Sequence, residues 1–286
     1  MIETVSHVNL PKFKVIIPNS IEETLELLHI HQTDCKILAG GTDLLVELRH
    51  RLIQPNVIID IKNIEELNKI EFTDEGLQIG AAVPIFNVLK TSQVETHYTA
   101  LYQALSDMCD EILRMRATIA GNIATASPAA DTAGPLYVHQ ATVEVQSQSK
   151  GSRLIQINEF FKGVKKSNLA PDELIVSIKL PSPSPNFRSA FMKMKRGKED
   201  LALVGVAGAH NPQNTYLAFT AVAPTPIFLD ISPFNIKEKI TDDLFQSVWN
   251  EVLSNINPIS DVRSSKAYRI HTAEILTRLI LKEIVL

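Results

Sequence analysis

The 286-residue chain is poor in residues that hold metals and clusters. It has two cysteines, Cys35 and Cys109, whereas an all-cysteine [2Fe–2S] site needs four thiolates. Two thiols are also too few for a disulfide framework. The histidines show no metal-ligand spacing, and the closest pair, His29 and His31, is interpreted as a helix end. We therefore predict no metal site on this chain, place any metal chemistry on another chain and expect a reduced, cytoplasmic protein.

An excess of positive charge and long apolar runs are also absent. Lys and Arg total 28 against 32 Asp and Glu, a net charge of −4. A general nucleic-acid-binding protein needs a basic face to displace counterions, so this class is excluded. No apolar run approaches the roughly 18–20 residues of a membrane span. The N-terminus lacks the basic-then-apolar order of a signal peptide. We therefore expect no nucleic acid and no membrane span.

What the chain does contain is two stretches of small residues. In residues 36–43, KILAGGTD, a short apolar strand leads into Gly40 and Gly41. Residues 118–132, TIAGNIATASPAADT, are rich in Ala and contain no Lys, Arg, Phe, Tyr or Trp. Side chains this small let backbone N–H groups approach a large polar ligand, and consecutive N–H groups form an anion-binding concavity. The two stretches are interpreted as loops that clamp a phosphate-bearing ligand.

Neither stretch matches a standard nucleotide-binding fingerprint. No Lys-Ser or Lys-Thr follows the glycines, as a P-loop requires, and the Rossmann pattern G-x-G-x-x-G is absent. An AGG sequence after a strand is also compatible with a plain turn. The residues alone therefore leave an anion site, a dinucleotide site and a turn without a ligand open.

Apolar periodicity predicts strands and helices in alternation over the first part of the chain. Strands are expected at 11–17, 36–38, 56–61, 77–81, 135–145, 154–157 and 172–180. Helices are expected from Ser20, from Thr42 or Asp43, from Pro84, and over 98–113. The alternating segment 172–180 is predicted to be a half-buried strand.

A Pro- and Ser-rich break at 181–185 is interpreted as a domain boundary. Strands at 190–195, 201–209 and 216–223 are predicted beyond it. Two helices, beginning near Thr241 and Ser264, would close the chain. This region is expected to form a compact α+β module.

With these stretches placed, the chain resembles the flavin-binding medium subunit of the molybdenum hydroxylases, the xanthine dehydrogenase and carbon monoxide dehydrogenase family. The family pattern is an AGGTDLL loop, followed by a T-I-G-G-N-I loop that ends in S-P-x-x-D. Here residues 39–45 read AGGTDLL and residues 118–123 read TIAGNI, with Ser127, Pro128 and Asp131 after them. The likeness continues through NVIIDI, DELIVSIKLP, AVAPTPI and SKAYR, so it spans nearly the whole chain.

The resemblance implies an α+β fold with two domains. The first is an FAD-binding domain of the vanillyl-alcohol oxidase (PCMH) type, expected over residues 1–181 with subdomains of about 1–61 and 62–181. The second is a small α+β C-terminal domain of the carbon monoxide dehydrogenase flavoprotein type, expected over residues 186–286.

The resemblance also implies FAD as cofactor, with its pyrophosphate across the two loops. Asp131 would bind the adenosine ribose, Leu174 would pack on the flavin, and Lys193 would approach the ring system and stabilise its anionic reduced form. No catalytic residue is expected on this chain. The full set of implied cofactor-binding residues is Lys36, Ile37, Leu38, Ala39, Gly40, Gly41, Thr42, Asp43, Ala117, Thr118, Ile119, Ala120, Gly121, Asn122, Thr125, Asp131, Leu174 and Lys193.

The implied function is electron transfer within an assembly. A large molybdopterin-binding subunit would oxidise the substrate, and [2Fe–2S] clusters on a small subunit would carry the electrons to FAD. The reduced flavin would pass them to NAD⁺ or to another acceptor. The assembly is expected to be a dimer of heterotrimers, and xanthine or another purine is the first substrate hypothesis.

Two other functions stay open. A free-standing flavin reductase of the UDP-N-acetylenolpyruvoylglucosamine reductase type would need a proton donor over the flavin and a third, substrate-binding domain. No residue is clearly arranged for that role. A flavin-free scaffold is the other alternative, and its support is Ala120 and Ala130, which stand where the family has Gly and often Ser. A visible spectrum of the purified chain distinguishes the three.

Overall fold

The computed structural model describes residues 10–236 and 240–285. Its first part is a three-stranded parallel sheet with the order β1-β3-β2. The central strand is buried, as its β-branched sequence predicts. The elements are β1 (Lys14–Ile16), α1 (Ile21–His31), β2 (Cys35–Leu38), α2 (Leu44–Arg49) and β3 (Val57–Asp60). Because the strands are parallel, the loop after β2 lies at the carboxyl edge of the sheet, where open α/β sheets bind ligands.

The second part is a five-stranded antiparallel sheet, with short helices between its strands. The strand order is β4-β5-β10-β6-β7. The elements are β4 (Ile70–Thr73), β5 (Gly76–Gly80), α3 (Ile85–Leu89), α4 (Ser92–His97), α5 (Thr99–Ser106), α6 (Glu111–Arg114), α7 (Ile119–Ala124), α8 (Ala133–Val138), β6 (Thr142–Ser147), β7 (Gly151–Gln156), α9 (Ile157–Phe160), β8 (Phe161–Gly163), β9 (Lys166–Ser167) and β10 (Leu174–Pro181). Strands β8 and β9 form a small separate hairpin.

The prediction that 172–180 is half-buried was wrong. Strand β10 lies in the middle of its sheet, and nearly all of its side chains are buried. The two polar side chains that create the alternation, Ser177 and Lys179, pair with Glu144 of a neighbouring strand. Ser177 donates to Glu144 at 2.8 Å, and the Lys179 ammonium lies 3.0 Å from the same carboxylate. The alternation therefore marked a row of paired polar groups, of which Ser177 is buried and the Lys179 side chain is 39% exposed.

Two other predicted elements needed correction. Residues 135–145 do not form one strand, because 133–138 form helix α8, which is buried on every side. Pro135 lies in the first turn of that helix, where its missing N–H removes no hydrogen bond. The predicted helix 98–113 is broken after Ser106. Arg114 closes this break by donating to the carbonyls of Ser106, Met108 and Cys109, so its role is structural.

The third part is a four-stranded antiparallel sheet in the order β11-β12-β13-β14. Its elements are β11 (Arg188–Met194), β12 (Val204–His210), β13 (Thr215–Thr220), β14 (Ile227–Asp230), α10 (Asp242–Asn255) and α11 (Lys266–Val285). Strand β14 was not predicted, whereas the start of α10 near Thr241 was, and Thr241 caps that helix. Helices α5 and α8 pack against this sheet. A separate hydrophobic core is formed by side chains of the sheet together with those of α10 and α11. Among the described residues, no helix has the length and apolar content to cross a bilayer.

Candidate functional site

The first loop, residues 39–43, follows β2 and leads into α2. A Cβ on Gly40 would lie 2.2 Å from the carbonyl oxygen of Arg116, so only glycine allows this loop to touch the chain that leads into the second stretch. Gly41 has a φ of +78°, a conformation that L side chains rarely adopt. Both glycines are therefore required by the backbone geometry.

The second loop, residues 117–132, begins at the N-terminus of α7. Thr118 caps this helix, with its hydroxyl accepting from the Gly121 N–H at 2.9 Å. The Ala117 carbonyl accepts from Ile85 at 2.8 Å, which fixes the start of the loop. The Thr125 hydroxyl donates to Asp43 at 3.0 Å and so joins the two loops directly.

Backbone donors in both loops are available to a ligand. The N–H groups of Gly40, Gly41, Thr42 and Asp43 find no acceptor among residues 10–236 and 240–285. The N–H group of Ala120, in the first turn of α7, also finds no acceptor in this part of the chain. Consecutive unpaired N–H groups form a concavity that suits the oxygens of a diphosphate.

A cavity of about 770 Å³ lies between the two loops. This volume falls within the roughly 300–1,000 Å³ of small-molecule and cofactor sites. The site residues expected from sequence that line it are Lys36, Ile37, Ala39, Gly40, Gly41, Thr42, Asp43, Ala117, Thr118, Ala120, Gly121, Asn122, Thr125, Asp131 and Leu174. Leu38, Ile119 and Lys193 are not part of its lining. The structure therefore brings both loops to one site with room for a large cofactor.

Several lining residues were missed by sequence reasoning. Cys35, Cys109, Lys165 and Glu173 line the cavity, as does Leu201 from the segment between β11 and β12. Cys109, Lys165 and Leu201 come from segments that reach the cavity only through the tertiary fold, whereas Cys35 and Glu173 directly precede the predicted residues Lys36 and Leu174. The two cysteines were noticed for their number and not for their position.

Comparison with known proteins decides the family. A model described as the FAD binding domain in molybdopterin dehydrogenase matches residues 11–183. This chain belongs to that family. A second model, the CO dehydrogenase flavoprotein C-terminal domain, matches residues 189–284. The chain is therefore an oxidoreductase component of the molybdenum hydroxylases, with FAD as its cofactor, as the sequence resemblance predicted.

Individual relatives agree with the family match. The chain is 32% identical over 266 residues to a xanthine dehydrogenase FAD-binding subunit of Escherichia coli O157:H7, covering 87% of this chain and 88% of that one. It is 30% identical to a glyceraldehyde dehydrogenase medium chain of Sulfolobus acidocaldarius, covering 96% and 99%. Among solved structures, carbon monoxide dehydrogenase from Hydrogenophaga pseudoflava matches with a TM-score of 0.91 at 26% identity, covering 96% and 98%.

A buried ion pair lies beside the flavoprotein cavity. The Lys193 ammonium donates to Asp131 Oδ2 at 2.9 Å, and the side chains of Lys193 and Asp131 are 0% and 5% exposed. Asp107 lies 3.9 Å from the same ammonium. Lys193 is thus held behind Asp131, and its expected approach to the flavin ring stays a prediction.

The second oxygen of Asp131, Oδ1, has no hydrogen-bond partner in the described part of the chain. Burial raises the pKa of this carboxyl, while the Lys193 ammonium acts in the opposite direction. An unpaired buried acceptor costs free energy, so a donor supplied by a ligand would stabilise it. Because Asp131 lines the cavity, this oxygen suits a hydroxyl or N–H group of the cofactor.

The two cysteines of the cavity are not activated nucleophiles. Burial raises the pKa of the Cys109 thiol, and the Asp131 carboxylate raises it further. Burial also raises the pKa of Cys35. Thiols with raised pKa values are protonated near neutral pH and react slowly. Over residues 10–236 and 240–285, no group of three or more His, Cys, Asp or Glu has an arrangement that holds a metal ion.

Proposed function

We propose that this chain is the electron-transfer subunit of a molybdenum hydroxylase and holds FAD in the cavity between its two loops. The observation that carries the proposal is the convergence of both small-residue loops on one cavity, with unpaired backbone N–H groups in each loop. A cofactor with two phosphates and long polar arms needs donors on both sides, and the two loops provide them.

Each part of the cavity has a proposed task. The N–H groups of residues 40–43 and of Ala120 bind the diphosphate. Asp131 accepts a hydrogen bond from the cofactor, while Leu174 and Met108 exclude water from the apolar wall. The other residues expected from sequence to contact FAD keep that role as part of this proposal. Lys193, which lies behind Asp131, would influence the cofactor through the Asp131 carboxylate.

When bound, FAD supplies the chemistry that takes electrons from [2Fe–2S] clusters on a small partner and delivers them to NAD⁺ or another acceptor. The protein contributes binding, orientation and electrostatics. A large partner would hold molybdopterin, and the assembly would be a cytoplasmic dimer of heterotrimers. This organisation is supported by relatives whose names are FAD-binding subunit or medium chain. It is also supported by a cysteine content too low for a cluster.

The substrate and the domain division belong to the same proposal. Xanthine or another purine is the first substrate to test, because one relative is a xanthine dehydrogenase subunit. The division into residues 1–181, with subdomains of about 1–61 and 62–181, and 186–286 is supported by the two family models. The first match ends at residue 183, within the Pro- and Ser-rich break, and the second begins at residue 189, after it.

The test is reconstitution of the full chain with FAD, followed by gel filtration and a visible spectrum. We expect one tightly bound flavin per chain and no turnover by the isolated chain. Co-purification with the partner subunits and a screen of purines should then show substrate-dependent flavin bleaching. A chain that folds but takes up no flavin would favour the scaffold. Bleaching by NADH that requires a second organic substrate would favour the reductase.

A further inference from the structure

Arg269, in helix α11, is a charged residue buried in the C-terminal part of the molecule. It is 1% exposed. Its Nη2 donates to Asp261 at 2.9 Å, and its Nη1 donates to the backbone carbonyls of Leu203 and Ala221. A buried guanidinium is tolerated only where acceptors compensate for lost water. The buried guanidinium therefore needs these acceptors, and the two carbonyls in turn receive a charged donor from Arg269.

The hydrogen bond from Arg269 to Ala221 connects Arg269 to the second loop, residues 117–132. Ala221 follows β13 directly and has a φ of +63°. Its carbonyl accepts from Arg269 at 3.2 Å, and its N–H donates to the Pro128 carbonyl at 2.7 Å. Pro128 lies between Ser127 and Ala129, which both line the cavity, and shortly before Asp131. Arg269 is thus two hydrogen bonds away from this loop.

The hydrogen bond from Arg269 to Leu203 connects Arg269 to the strand that carries Lys193, the other partner of the buried ion pair. The Leu203 N–H donates to the carbonyl of Met194 at 2.7 Å, and Met194 follows Lys193. The same segment carries Leu201, which lines the cavity. One nitrogen of Arg269 is therefore connected to the backbone that carries Asp131 and to the backbone that carries Lys193.

We propose that Arg269 is a positioning residue for the FAD site. It acts from the C-terminal part of the chain by fixing the two backbone segments whose side chains form the Asp131–Lys193 pair at the cavity wall. The inference rests on the proposed FAD cavity, but it concerns a residue that does not line that cavity. Without Arg269, two buried carbonyls lose a charged donor and both segments are free to shift relative to each other.

Arg263 offers a matched comparison inside the same cluster. It bonds the other oxygen of Asp261 with two nitrogens, at 3.0 and 2.7 Å. Its side chain is 33% exposed, and it bonds neither the Leu203 nor the Ala221 carbonyl. Loss of Arg263 weakens the Asp261 cluster and leaves both connections to the cavity intact.

The experiment uses the full chain and the variants Arg269→Met, Arg269→Lys and Arg263→Met. FAD affinity is titrated at a temperature at which Trp249, the single tryptophan, reports a native C-terminal core. The visible circular dichroism of bound flavin is recorded in parallel. We expect Arg269→Met to weaken FAD binding by about tenfold or more, which is the effect of about one hydrogen bond to a charged group. The circular dichroism of the bound flavin should change as well. Arg263→Met should stay near wild type.

The inference is wrong if a folded Arg269→Met variant binds FAD like wild type, or if Arg263→Met weakens binding equally. If Arg269→Met does not fold, Arg269→Lys takes its place, because its single ammonium cannot serve both carbonyls and Asp261 with the same geometry. Hydrogen exchange on the wild-type chain gives a further test, in which FAD should slow exchange at the amides of Leu203 and Ala221. A wild-type chain that binds no FAD contradicts the proposed function instead.

Discussion

The two loops of the cavity are built in different ways. The first, residues 39–43, follows a parallel strand, leads into a helix and depends on two of its own residues: Gly41 has a positive φ, and Gly40 allows a close contact with Arg116. The second, residues 117–132, is held by distant parts of the chain: Ile85 at its start, Ala221 at Pro128 and Lys193 at Asp131. The first loop is therefore sensitive to changes within itself, and the second to changes elsewhere in the molecule.

The largest expected effect comes from Gly40→Ala, which breaks the first loop from within. The new Cβ would lie 2.2 Å from a backbone oxygen, so the loop must move away from Arg116. Losing about two hydrogen bonds to the charged diphosphate, each about 1.5 kcal/mol, lowers affinity on the order of a hundredfold, and we expect FAD affinity to fall about that much. Gly197→Ala is the control, since a Cβ there has its nearest contact at 3.7 Å. Equal FAD affinity in the two variants would contradict the requirement for glycine at position 40.

Lys193→Met breaks the second loop from a distance. It leaves the Asp131 carboxylate buried without its cation, which typically costs about 3–5 kcal/mol. We expect the free energy of unfolding in urea to fall by this amount and FAD affinity to fall with it. Lys195→Met is the matched control, because Lys195 pairs with the half-exposed Asp107 and not with Asp131. Adding Asp131→Asn should restore stability but not affinity, and a double variant as unstable as Lys193→Met would refute the pairing.

A third prediction concerns pH and the helix that follows the second loop. His139, at the end of α8, is fully buried beside Ser189, and burial lowers its pKa from 6.5 to about 3. The folded chain therefore keeps His139 neutral while the unfolded chain protonates it. The contribution of neutral His139 to the free energy of unfolding is fully present above about pH 6.5. It is lost as the pH falls from there towards 3, by about 1.4 kcal/mol per pH unit. Urea unfolding of His139→Gln should lack this part of the slope, and parallel pH curves for the two proteins would overturn the prediction.

The smallest effect is expected where the two loops meet. Thr125→Val removes the hydrogen bond to Asp43 but keeps the shape of the side chain. A net loss of about 0.5–1.5 kcal/mol in FAD binding, a few-fold to about tenfold in affinity, is expected for one such bond. Isothermal titration with FAD measures it. The exposed Thr96, which bonds only within its own helix, is the site for the control Thr96→Val.

Sequence reasoning succeeded where the physical cause lies within a few residues. It identified both loops, the cap of α1, and most strands and helices, because these depend on local side-chain size, periodicity and capping. It failed where the tertiary surroundings of a segment decide its burial or its secondary structure. Ser177 and Lys179 suggested an exposed face but pair with Glu144, and the apolar run at 135–138 was assigned to a strand although it forms a buried helix.

By itself, the sequence determined the two-loop pattern, the family and the absence of a thiolate cluster, since motif spacing and residue counts do not depend on folding. Only the tertiary structure decided that Lys193 lies behind Asp131 and that Arg269, in the C-terminal helix α11, connects to both backbones. Residues this far apart in sequence interact only when packing brings them together. The strength of their interaction depends on how completely that packing removes water.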